Sequence, residues 1–114
     1  MEPTLKNNSI LIAKKFDLNI KRNDIIVAKK NRLLIIKKVI AIPNDRIKLE
    51  NGYVYVNDIV SDNLYTEYAG ILENEITLKS DEFFIMGDNR QNSIDSRYQE
   101  IGIIKKSEIK GIIL

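Results

Sequence analysis

Short apolar runs rich in Ile and Val alternate with brief polar interruptions along the 114-residue chain, a rhythm that predicts strands rather than helices. Candidate strands are Ile10–Ala13, Ile25–Lys29, Leu33–Ile42, Arg46–Leu49, Tyr53–Val56, Ile76–Leu78, Phe83–Met86 and Ile109–Leu114. Asn51-Gly52 separates two of them and tolerates the positive φ of a type I′ hairpin turn. Asn57-Asp58 marks a further turn. No long amphipathic helix is evident, although a single helical turn fits around Ser93–Tyr98. Residues 57–82 form a polar excursion, a hairpin or a pair of loops, between core strands. The expected fold is all-β and mostly antiparallel. Length and a hydrophobic content of 44% fit one domain over residues 1–114, with the excursion inside it.

The longest apolar run, Leu33 to Ile42, contains two lysines. Because side chains alternate along a strand, Lys37 shares a face with Leu33, Ile35, Val39 and Ala41, and Lys38 with Leu34, Ile36, Ile40 and Ile42. Near-continuous apolarity suggests burial on both faces, and burial disfavours a charged ammonium. A lysine in such a place is a candidate base. The alternative is that one or both snorkel outward, or guard an edge strand against aggregation.

Polar residues are densest directly after the run Phe83-Phe84-Ile85-Met86, where only Ile94 is apolar between Gly87 and Arg97. A plain solvated turn would use the same Gly, Asp, Asn and Ser. Plain turns rarely need Asp88/Arg90 and Asp95/Arg97 as matched opposite charges, and functional sites gather on loops held by a rigid scaffold. A calcium loop starting at Asp88 is excluded. Arg90 and Ser93 stand at its third and sixth positions, where an acid or amide and a glycine are required.

Composition narrows the chemistry. The chain has neither Cys nor His, so a disulfide, a thiol nucleophile, an imidazole base and an ordinary zinc site are all excluded. If it is a hydrolase, its general base must be Lys, Asp, Glu or Tyr. Charge is uneven: residues 1–48 carry a net +8 and residues 57–82 a net −6. The basic half suits a solvated lysine face or an anionic surface. Without aromatic residues interleaved to stack bases, nucleic acid is disfavoured as a partner. No run of about 18 apolar residues occurs.

Three segments carry a family resemblance. Met1-Glu2-Pro3-Thr4-Leu5 is similar to an S-M-x-P-T-L box, and Ile36 to Asp45 to an I-K-R-V-I-G-x-P-G-D box. Gly87 to Arg97 matches G-D-N-R-x-N-S-x-D-S-R at every specified position. In order and spacing they resemble the bacterial type I signal peptidases, membrane-bound serine proteases that use a Ser/Lys dyad. The resemblance implies a coiled-sheet, barrel-like catalytic core without metal or cofactor. Lys37 would be the general base, and Ser93 would orient it. Asp88 would pair with Lys38, which replaces the usual arginine and loses its planar fork. Asp95 and Arg97 would brace the loop. Asn44 replaces a glycine, tolerable because Asn also visits left-handed conformations.

The resemblance further implies secreted preproteins as substrates, an extended peptide added beside the strand leading into Lys37, and a membrane surface as a neighbour. Met1, Leu5, Ile35 and Ile36 are candidates for its shallow apolar pockets, with core packing as the alternative. The expected location is the cell membrane, with the domain on the extracytoplasmic face, in a minimal form like that of Gram-positive bacteria. In the family the nucleophilic serine directly precedes the Met of the first box, which here is residue 1. The expectation is an inactive fragment cut after that serine, with a membrane anchor upstream. The alternative is a signal-peptidase-like assembly or chaperone factor, for example for pilin subunits, that has lost catalysis.

Overall fold

In a computed structural model, which describes residues 10–11 and 19–113, the apolar runs pair into two antiparallel sheets. The strands are β1 (Ile10–Leu11), β2 (Ile25–Lys30), β3 (Leu33–Ala41), β4 (Arg46–Glu50), β5 (Tyr53–Val56), β6 (Ile59–Val60), β7 (Ile76–Thr77), β8 (Glu82–Met86), β9 (Ile104–Lys105) and β10 (Ile109–Ile113). One sheet has the order β1-β10-β2-β3-β8-β9 and the other β6-β5-β4-β7. The fold is thus all-β and antiparallel. Strands β6 and β9 were not expected from sequence.

Turn chemistry accounts for the hairpins. Asn51 and Gly52 join β4 to β5 at φ 54 and 86, and Asn57 and Asp58 join β5 to β6 at φ 52 and 70, the paired positive values that a type I′ turn requires. Asn31 and Arg32 join β2 to β3 at φ 53 and 68, although arginine is no turn signal. The β3–β4 turn places Asn44 at φ 73, the left-handed conformation for which glycine or asparagine is suited.

Strand β3 sits between β2 and β8 and divides the core. Val39 packs into one cluster with Ile26, Ile35, Phe83, Ile85 and Ile104. Ile40 and Ala41 both join the other, with Ile47, Val54, Leu72, Phe84 and Met86. A register shift between Val39 and Ala41 against β8 lets two consecutive residues face one cluster. Burial on both faces therefore holds for Val39, Ile40 and Ala41, all at most 3% exposed, but not at the start of the run. Leu33 and Leu34 are 54% and 66% exposed, because they leave the β2–β3 turn.

No helix forms over Ser93–Tyr98, and what remains of the expected helical turn is one bond, from the Tyr98 N–H to Asp95 O (3.0 Å). The Ser96 N–H donates instead to Ile85 O (3.1 Å) and the Arg97 N–H to Asp95 Oδ1 (3.1 Å), so partners outside a helix claim the rest of the backbone. Single 3-10 turns lie instead at Gly70–Glu73 and Lys106–Glu108. The excursion is stitched into the second sheet at both ends, by β6 beside β5 and β7 beside β4. No helix among the described residues is long and apolar enough to cross a membrane.

Candidate active site

Strand register brings the lysines to the loop. Lys38 pairs with Met86, the last residue of β8, so Lys37 stands level with the point where the chain leaves the sheet at Gly87. On its other side Lys37 pairs with the fully buried Ile26. It is half-buried, on a face with Ile35 and Val39 that are 6% and 0% exposed. Across the strand, Lys38 Nζ lies 3.1 Å from Asp88 Oδ1.

Gly87 is where the amine and the hydroxyl converge. A Cβ built on this residue would collide with Ser93 Oγ and lie 3.4 Å from Lys37 Nζ. Only a residue without a side chain lets both groups approach the backbone here. Ser93 is 5% exposed, and its hydroxyl donates to Asp95 Oδ2 at 3.0 Å. That bond fixes the hydroxyl hydrogen and leaves the oxygen lone pairs free to accept from an amine.

Asp95 is the hub of the loop. Its Oδ2 also accepts from the Gly87 N–H (3.2 Å) and Arg97 Nη2 (3.0 Å), and its Oδ1 from Arg97 Nε (2.8 Å). Arg97 is fully buried and donates further to the carbonyls of Arg90, Ser93 and Tyr68. Ser96 Oγ accepts from the Ile85 N–H at 3.0 Å and ties the loop back to β8. Every buried side-chain nitrogen and oxygen among the described residues has a partner, as such a network requires.

One pairing suggested by sequence is not formed. Arg90 does not answer Asp88; its Nη2 reaches Asp62 Oδ2 at 2.7 Å, in the excursion, while Asp88 turns to Lys38. Sequence reasoning missed Asp62, Thr66 and the Tyr68 carbonyl, which lie 24 to 29 residues from their loop partners and carry no local signal. Of the four apolar candidates, Ile35 packs in the first core cluster and Ile36 is half-buried on the opposite face. Met1 and Leu5 lie outside the described residues. Two cavities, of about 320 Å³ beside Arg22 and Asn57 and about 650 Å³ beside Tyr68 and Arg97, include neither Lys37 nor Ser93 in their walls.

Known proteins share this architecture. A family model described as signal peptidase, peptidase S26, matches residues 1–114. Signal peptidase I P of Bacillus subtilis subsp. natto is 32% identical over 128 residues, covering 98% of this chain and 69% of its own length. The probable signal peptidase I-2 of Synechocystis sp. is 32% identical over 123 residues, covering 97% of this chain and 56% of its own. The crystal structure of a signal peptidase I from Enterococcus faecalis V583 shares the fold, with a TM-score of 0.63 and 22% identity over 85% of this chain and 98% of that one. This chain thus spans 56% of one of these relatives and 69% of another. A family match along all 114 residues, with relatives at 32% identity, means that the chain belongs to the signal peptidase family, peptidase S26.

Proposed function

We propose that the chain is the catalytic domain, over residues 1–114, of a membrane-associated serine endopeptidase that removes signal peptides from secreted preproteins. The observation that carries this reading is the convergence of Lys37 Nζ and Ser93 Oγ on Gly87, in a chain of the signal peptidase family. Lys37 is the general base, and the nucleophile is a serine that the family resemblance sets directly ahead of Met1. The neutral Lys37 amine takes the hydroxyl proton as the serine oxygen attacks the scissile carbonyl. When the C–N bond breaks, the same nitrogen returns that proton to the leaving amine.

Ser93 aims this amine. Its hydroxyl hydrogen is committed to Asp95, so its oxygen can only accept, and it draws an N–H of Lys37 in one direction. The amine lone pair then points elsewhere, towards the serine. Asp95 and Arg97 hold Ser93, and the Lys38–Asp88 pair steadies the other face of β3 next to the base. A preprotein lies extended along Leu33 to Ile36, a stretch for which no pairing partner appears on the β8 side among the described residues. The catalytic face is extracytoplasmic, and the exposed Leu33 and Leu34 face the membrane-borne segment of the substrate.

The test is Lys37→Ala in the full-length protein, with cleavage of a preprotein in membrane vesicles as the readout. Cleavage should fall at least 10³-fold, as for loss of a dyad base, with an unchanged unfolding midpoint. Processing near the parent rate would remove Lys37 from the mechanism. Ser93→Ala should lose less, because it misdirects the base without removing it.

A further inference from the structure

The peptide of Gly87 is held at both ends, and the two holds come from different parts of the chain. Its N–H goes to Asp95, inside the loop. Its carbonyl accepts from Arg90 Nε at 2.7 Å, and the rest of that guanidinium is claimed by the excursion: Nη1 by Thr66 Oγ1 at 2.8 Å and Nη2 by Asp62 Oδ2 at 2.7 Å. The Arg90 side chain is 2% exposed, so water cannot replace these partners.

Both excursion residues are prepared for this contact. Thr66 is 1% exposed, and its N–H donates to Gly52 O, in the β4–β5 turn. Its hydroxyl donates to Leu64 O, which leaves its oxygen to accept from Arg90. Asp62 Oδ1 accepts from the Leu64 N–H, so Oδ2 is the oxygen turned to the guanidinium. A chain of bonds therefore runs from the second sheet through Thr66, Asp62 and Arg90 to the residue against which Lys37 and Ser93 meet.

We infer that Asp62 and Thr66 are positioning residues for the Lys37–Ser93 pair, acting through Arg90 on the carbonyl of Gly87, an inference that rests on the proposed role of Lys37. The excursion is then part of the active-site support. Losing either residue frees one arm of the guanidinium, and Arg90 swings towards the remaining partner. The Gly87 carbonyl is released, and with it the surface that sets the distance between amine and hydroxyl. Misplacement by as little as an ångström is enough to slow a reaction about 10²-fold.

Thr66→Val tests this in the full-length protein, since it keeps the shape and removes the hydroxyl that accepts from Arg90 Nη1 at 2.8 Å, together with its longer bond to Leu64 O at 3.4 Å. The expected result is a fall in kcat of about tenfold or more with KM changed less than about twofold. Thr66→Ser should restore the parent rate, and Asp62→Ala should repeat the split. In the same variants the Gly87 amide should exchange hydrogen faster while Ile85 and Val54 keep the parent rate. Parental kcat with parental Gly87 exchange overturns the inference. So does a loss of kcat matched by faster exchange at all three amides, which would mark general destabilisation. If Lys37→Ala cleaves normally, the role of Lys37 falls, and Gly87 exchange alone then decides whether the excursion holds the loop.

Discussion

Arg97 Nε lies 2.8 Å from Asp95 Oδ1 beneath Ser93, and Arg46 Nη2 lies 2.8 Å from Asp58 Oδ2 beside the β5–β6 turn. The first pair is wholly buried; in the second the side chains are 41% and 59% exposed. Equal length therefore hides unequal consequence. Around Asp95 each polar atom is matched to a protein partner that water cannot replace, and the shape of the loop depends on all of them. Around Arg46 the carboxylates of Asp58 and Glu75 compete with solvent for the guanidinium, and exposed pairs of this kind contribute little.

The contrast can be broken most forcefully at Arg97. Arg97→Met leaves the Asp95 charge buried without its counter-charge and strips the carbonyls of Arg90, Ser93 and Tyr68 of a donor. The expected loss is about 3–5 kcal/mol in urea unfolding, nearly independent of salt because the site is dry. A loss under about 1 kcal/mol would show that water reaches the pair and that burial does not separate the two regions.

The Asp95–Arg97 pair was legible in the sequence because its members are two residues apart in a dense polar run. The all-β architecture was legible from the Ile/Val rhythm, and the β4–β5 hairpin from Asn51-Gly52. What was not legible is set by distance along the chain. Asp88 and Arg90 looked like partners by proximity, yet strand pairing brings Lys38 to one and a turn in the excursion brings Asp62 to the other. Leu33 and Leu34 belong to an unbroken apolar run, and only the position of the β2–β3 turn reveals that they lie open. Lys37 is half-buried, between the two alternatives its strand allowed.

Asp45 provides an intermediate case, with a carboxylate side chain 7% exposed and a partner, Arg22, that is 46% exposed. Burial by itself would raise the Asp45 pKa. The bidentate Arg22 guanidinium, the Ile42 N–H and the Asn57 amide together outweigh it and hold the carboxyl below its ordinary value. A folded pKa below the unfolded one means stability that is fully present above the unfolded value of about 3.9. It is lost as pH falls through the lowered folded value. Asp45→Asn should therefore flatten the acid limb of the stability–pH curve and cost about 1–2 kcal/mol at neutral pH. An unchanged acid limb would mean that the Arg22 contact does not persist in solution.

The smallest effect is expected at the exposed pair, where the comparison is most exacting. Asp58 holds Arg46 above its ordinary pKa, and Arg46 holds Asp58 below its own, each chiefly by their shared hydrogen bond. Both groups stay charged at neutral pH with or without the partner, so the shift adds no pH dependence there. Arg46→Ala should leave the urea midpoint within experimental error, and high salt should erase any residual difference from the parent, since screening acts fully on exposed charges. Asp58 sits at φ 70, so Asp58→Asn is the better partner variant: it removes the charge and keeps a residue that tolerates the turn. A double variant no less stable than either single one completes the contrast with Arg97. A salt-resistant loss comparable to that of Arg97→Met would instead mean that the pairing itself, rather than removal from water, sets the contribution of an ion pair in this fold.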